Sequence, residues 1–113
     1  MSPPVNLTNL REITGGDHEI EQELFVVFLE SAQVCLKGLR DSLADTDHVI
    51  WRKQAHALKG ISYNLGAQLL GDLCKMAQDD STTSQEQKTQ LLTAIEGEYG
   101  LVESYLKDLK PAG

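Results

Sequence analysis

The sequence predicts an all-α fold, an up-down antiparallel four-helix bundle with a short additional helix at its N-terminus. Three observations carry this. Apolar residues recur every three or four positions in four long stretches, the period of a helix with one buried face. No stretch shows the strict alternation of a half-buried strand. The breaks between stretches are short, and short connections make neighbouring helices antiparallel. At 113 residues the chain reads as one domain large enough for a real core, with flexible ends at 1–5 and 110–113.

Val5, Leu7, Leu10 and Ile13 are spaced for the short first helix, which Gly15-Gly16 ends. Asp17 then offers an N-cap, and Glu19, Glu21 and Glu23 suit the positive end of a helix running to about Ala44. Its stripe is Phe25, Phe28, Leu29, Ala32, Cys35, Leu36, Leu39 and Leu43. Residues 24–29 are apolar all round, more than one bundle face can bury. The N-terminal helix is expected to cover the surplus, and an exposed docking patch is the alternative.

Asp47 is the expected N-cap of the next helix, whose stripe is Trp51, Ala55, Leu58, Ser62 and Leu65 and whose stop is Gly66. A fourth helix follows from about Ala67 to Gln78, burying Leu69, Leu70, Leu73, Met76 and Ala77. The polar break at 79–84 leads to a capping box, Thr83-x-x-Glu86. The last helix carries Leu91, Ile95, Val102, Tyr105 and Leu109, with Pro111 beyond its end. Gly97 and Gly100 inside it have no evident reason.

Net charge is −7, which argues against nucleic acid or an anionic membrane as partner. The charge is uneven. From His48 to Gly71 there is no Asp or Glu, while Arg52, Lys53 and Lys59 fall inside that window. No 18-residue apolar run and no signal-peptide pattern appear, so a cytoplasmic protein without membrane insertion is expected. Cys35 and Cys74 form no CxxC pair and read as reduced, mostly buried thiols. His18, His48 and His56 do not repeat at i, i+4, so no metal site is expected. No Gly-rich phosphate loop is present, so nothing in the chain is expected to bind ATP.

His56 falls opposite the buried stripe of its helix and faces water, with Arg52, Lys59, Gly60 and Tyr63 around it at i−4, i+3, i+4 and i+7. A mid-helix glycine costs about 0.5–1 kcal/mol relative to alanine, so Gly60 calls for a local reason. Helical side chains lean toward the N-terminus, and a side chain at 60 would lie over His56. Glycine leaves that ring uncovered. An open imidazole with cations nearby suits a nucleophile that accepts an anionic group.

The run His56-Ala57-Leu58-Lys59-Gly60, continued by Ser62 and Leu65-Gly66-Ala67, resembles the signature of the histidine-containing phosphotransfer (HPt) domain. The chain departs from it at Ile61, where a serine is common; Ile61 flanks the buried stripe, so packing changes more than chemistry. The resemblance implies a phosphorelay intermediate without kinase activity of its own. His56 would be the phosphoacceptor, taking the group from a phospho-aspartate receiver domain and passing it to another. It implies no cofactor of its own, with Mg²⁺ on the partner receiver. Partners would be response-regulator receivers or a hybrid sensor histidine kinase, and the chain is expected to act as a monomer. Lys59 would neutralise phosphoryl charge, with Arg52 a weaker contributor, and Gly60 would keep the approach open. Gln78, 22 residues after His56, matches a polar position that the family often places beside the histidine. Tyr63 could border the docking face, whereas Ser62 on the stripe reads as structural, bonding a backbone carbonyl. Two alternatives are an HPt-like module that binds a partner without transferring phosphate, and a metal- or cofactor-binding bundle. The second would need inward-facing ligands, whereas His56 faces out.

Overall fold

The computed structural model describes residues 3–109. The expected ends at 1–2 and 110–113, Pro111 included, lie outside the described residues. Among those residues the chain forms α1 (Thr8–Thr14), α2 (His18–Asp41), α3 (Val49–Leu65), α4 (Gln68–Asp79) and α5 (Gln85–Asp108) and no strand. Helix α2 packs on α3, α3 on α4, α4 on α5, and α5 closes back on α2. That ring of neighbours is the expected four-helix bundle, and α1 packs against α2.

The caps explain where elements begin and end. Asp17 accepts a hydrogen bond from the Ile20 N–H and starts α2 as expected. Gly66 ends α3 with φ of 98°, a left-handed conformation that favours glycine. Its carbonyl accepts from the Asn6 N–H (2.9 Å), and a β-carbon at 66 would collide with the Asn6 carbonyl oxygen. The N-terminal lead-in is therefore built into the fold. Val5, inside the segment 1–5 expected to be flexible, is buried in the core.

Several expectations need correction. Helix α1 begins only at Thr8, so Val5 and Leu7 pack from the lead-in, and Ile13 is 82% exposed. Helix α2 stops at Asp41 because Ser42, buried, turns its hydroxyl onto the Leu39 carbonyl. Asp47 accepts from the Val49 N–H at the start of α3, while His48, which makes no side-chain cap bond, takes the cap position itself. Ser84, not Thr83, caps α5, accepting from the Gln87 N–H. In α4 the buried face is Leu70, Gly71, Cys74 and Ala77, leaving Leu69 and Met76 half exposed. The small residues win that face because α4 lies close against α3: the Tyr63 ring occupies the space above Gly71. On α5 the buried set gains Lys88, Leu92, Tyr99 and Leu106, while Tyr105 and Leu109 are only half-buried.

The apolar run at 24–29 is not covered by α1. Phe25 and Phe28 are buried and Leu29 packs against the core, but Leu24, Val26 and Val27 stay exposed. Helix α1 spans seven residues, held by an Arg11–Glu21 ion pair of 3.0 Å to a nearly buried carboxylate, and is too short to cover the remainder. Ser62 is fully buried as expected, but its hydroxyl has no hydrogen-bond partner among the described residues. Trp51 is fully buried one turn before His56, and its indole N–H donates to the Ala77 carbonyl (2.9 Å). The cysteines are free and buried, and burial pushes the Cys74 thiol up to about 12 and raises that of Cys35. Nothing lies within 4 Å of a β-carbon built at Gly97 or Gly100, and the structure gives no reason for either.

Candidate functional site

Helix α3 buries Trp51, Ala55, Leu58, Ser62 and Leu65, which leaves His56 on its exposed side, as the periodicity requires. The ring lines a pocket of about 490 Å³ between α3 and the segment that ends α4. His48, Arg52, Lys53 and His56 form the α3 wall; Gln78, Ser81 and Thr82 form the other. No carboxylate lines it. Arg52 and Lys53 are exposed and make no ion pair among the described residues.

Gln78 is the residue that the fold adds to this surface. It stands in the last turn of α4, where the Trp51–Ala77 bond ties that turn onto α3. Its side-chain oxygen Oε1 is buried and has no hydrogen-bond partner among the described residues. An unsatisfied buried acceptor costs roughly 1–3 kcal/mol, and most such groups are satisfied. It stands ready for a donor.

Gly60 is exposed, and a β-carbon there would meet nothing within 4 Å. Packing therefore does not require the glycine. Lys59, half-buried one turn beyond His56, has no hydrogen-bond or ion-pair partner among the described residues, and neither it nor Gly60 lines the pocket. Tyr63 is elsewhere. Its hydroxyl donates to Asp72 Oδ1 at 2.7 Å, and Gln68 donates to the same oxygen at 3.1 Å. The bond to Asp72, with a smaller part from desolvation, pushes the phenol up to about 12. Tyr63 thus ties α3 to α4 outside the pocket.

Sequence reasoning passed over His48 and Lys88. Lys88 is 1% exposed, with Nζ in hydrogen-bond contact with His48 Nδ1 at 2.6 Å and 5.3 Å from the Trp51 ring centroid. Burial lowers the pKa of its ammonium, and the Asp45 carboxylate pulls the other way. The recurrence of His48, Arg52 and His56 every four residues was the available signal for His48. Nothing in the sequence marks Lys88 as buried.

Among the described residues, an all-helical bundle places one exposed histidine in a carboxylate-free, cation-rimmed pocket, a setting suited to an anionic group. The sequence comparison agrees: the Hpt domain family matches residues 23–109, most of the chain, and the chain belongs to that family. Among solved structures it is similar to histidine-containing phosphotransfer protein B (HptB) from Pseudomonas aeruginosa PAO1. The identity is 26%, the TM-score is 0.82, and the likeness covers 95% of this chain and 94% of that one. No curated protein matches the chain by sequence.

Proposed function

We propose that this chain relays phosphoryl groups between phospho-aspartate receiver domains, with His56 as the acceptor. The observation that carries the reading is His56 itself: an exposed imidazole that shares a carboxylate-free pocket with the buried, unpartnered Oε1 of Gln78. Family membership supports the same chemistry.

The step is an in-line displacement at phosphorus. A lone pair on one His56 ring nitrogen forms the P–N bond as the P–O bond to the aspartyl carboxylate breaks, its electrons leaving with the carboxylate. Such transition states are loose, so positioning and charge neutralisation supply most of the catalysis. Gln78 Oε1, without a partner among the described residues, would accept the N–H of the other ring nitrogen once the ring turns toward it. This orients the ring and supports the positive charge it gains as the bond forms. Lys59 offsets charge on the equatorial oxygens, with Arg52 a second cation on the same face. Gly60 leaves room for the partner's active site. Return of the group to a second receiver is the reverse reaction.

On this reading the chain has no kinase activity and needs no cofactor of its own; Mg²⁺ belongs to the receiver. The partners are response-regulator receivers or the receiver of a hybrid sensor kinase, met in the cytoplasm by a monomeric chain. No helix among the described residues is long and apolar enough to cross a membrane. The test is a two-step transfer: phosphorylated receiver is mixed with the chain, the receiver is removed, and a second receiver is added. Label should move onto the chain and then off it. A chain that binds the receiver yet never carries label would contradict the proposal.

A further inference from the structure

A lysine with almost no exposure and no carboxylate bonded to it is unusual, because burying a charge is costly unless partners compensate. Lys88 reaches from α5, which contributes nothing to the pocket lining, to two residues that support it. One is His48, through the 2.6 Å contact to Nδ1. The other is Trp51, whose ring lies under the ammonium and whose N–H holds the backbone just before Gln78.

We propose that His48 is a second recognition residue of the pocket, contacting a carboxylate of the docked receiver, and that buried Lys88 is the positioning residue that fixes it for this. An ammonium has only donors, so Nδ1 of His48 must offer its lone pair. The His48 proton is then on Nε2, and the side chain's remaining polar function is an N–H donor. The ammonium behind the ring polarises that donor and adds positive potential to a pocket that already holds Arg52 and Lys53. Asp45 is the acid that acts on Lys88.

The ligand follows from distance and charge. Eight helical residues separate His48 from His56, about 12 Å along the axis. The His48 N–H therefore serves a group that arrives two turns away from the phosphoryl transfer. Arg52 lies between them on the same wall, and no acid of this chain lines the pocket to compete. A carboxylate on the incoming protein fits this end, and it would act on association more than on chemistry.

This inference rests on the relay reading, and the experiment separates the two. Imidazole nitrogen resonances of the ¹⁵N-labelled protein at neutral pH should show His48 as a single tautomer protonated at Nε2. In Lys88→Met, the same side chain should become a mixture of tautomers. In single-turnover transfer from a phosphorylated receiver, His48→Phe should raise the half-saturating receiver concentration by about tenfold, the scale of a hydrogen bond to a charged group. The saturating rate should be unchanged. His48→Gln, whose amide can accept from Lys88 and still donate, should restore binding to within about threefold. Lys88→Met should shift half-saturation as His48→Phe does; should that variant not fold, the wild-type tautomer and the two His48 variants decide the matter. A His48 proton on Nδ1, or half-saturation unmoved by His48→Phe, would overturn the proposal. So would a fall in the saturating rate alone, which would place His48 on the phosphoryl group. Failure of the wild-type chain to accept label would instead overturn the relay function.

Discussion

Helices α3 and α5 share a period and a buried face, yet they treat their polar groups in opposite ways. On α5 several polar groups are closed onto the protein. Thr89 and Thr93 donate to carbonyls one turn back (both 2.9 Å), Glu96 lies 3.6 Å from Arg40, and the Tyr99 hydroxyl meets Gln33, Leu29 and Glu103. On the outer face of α3, Arg52, Lys53, His56 and Lys59 have no such partner among the described residues, and Gly60 adds open space beside them. Polar groups bonded within the chain hold the bundle together. A cationic face without ion pairs among the described residues is open to a second molecule.

The sharpest way to break this contrast is at His56, where the loss of transfer should be complete. Lys59 comes next. Loss of one cation from a partly exposed phosphoryl site should cost about 2 kcal/mol, somewhat below the range for enclosed oxyanion donors, or roughly 30-fold in rate. Lys59→Ala should slow single-turnover transfer by that much or less while thermal unfolding and receiver binding stay unchanged. An unaltered rate would return Lys59 to the solvated surface.

Gly60 separates fold from function more finely. With nothing near a β-carbon, Gly60→Ala should stabilise the protein by about 0.5–1 kcal/mol in thermal unfolding. Gly60→Gln should melt normally yet transfer poorly, because its side chain leans over the ring, and Gly60→Glu should transfer worse still. Destabilisation in all three, with transfer falling only in proportion, would make position 60 a packing site like those of α4.

How much of this was legible in the sequence follows the same division. The exposed face of α3 could be read because helical geometry alone puts His56 opposite Trp51, Ala55 and Leu58, and the open surroundings of Gly60 follow from that spacing. The α4 stripe was misread because Leu69 and Met76 outrank Gly71 and Cys74 in hydrophobicity, while close approach to Tyr63 selects for small size. The cap of α5 slipped by one residue because Thr83-x-x-Glu86 and Ser84-x-x-Gln87 are equally good patterns. Lys88 was invisible for a deeper reason. Its burial depends on His48, forty residues away, and on Trp51 across the bundle, and no local pattern encodes such a meeting.

The smallest effect concerns Tyr63, a polar group of α3 that is closed onto Asp72. Its folded-state pKa, pushed up to about 12 by Asp72, lies above the ordinary phenol value near 10. The folded chain therefore holds that proton more tightly than the unfolded one. The associated stability is present below pH 10 and is lost as pH rises through 12. In an ultraviolet phenolate titration Asp72→Asn should bring Tyr63 back toward its ordinary range without changing phosphotransfer. A change in transfer would place Tyr63 in the acceptor site after all.

The most direct measurement is to phosphorylate the chain with a phosphorylated receiver, keep it alkaline, and locate the modification by tandem mass spectrometry. All of the phosphate should lie on His56 and none on His18 or His48, stable to alkali and released by acid as a phosphoramidate is. His56→Gln should fold normally and carry none, since exchanging one exposed side chain alters stability by no more than about 0.5 kcal/mol. Phosphate on another residue, or label that persists in His56→Gln, would contradict the claim that the open face of α3 is the acceptor site.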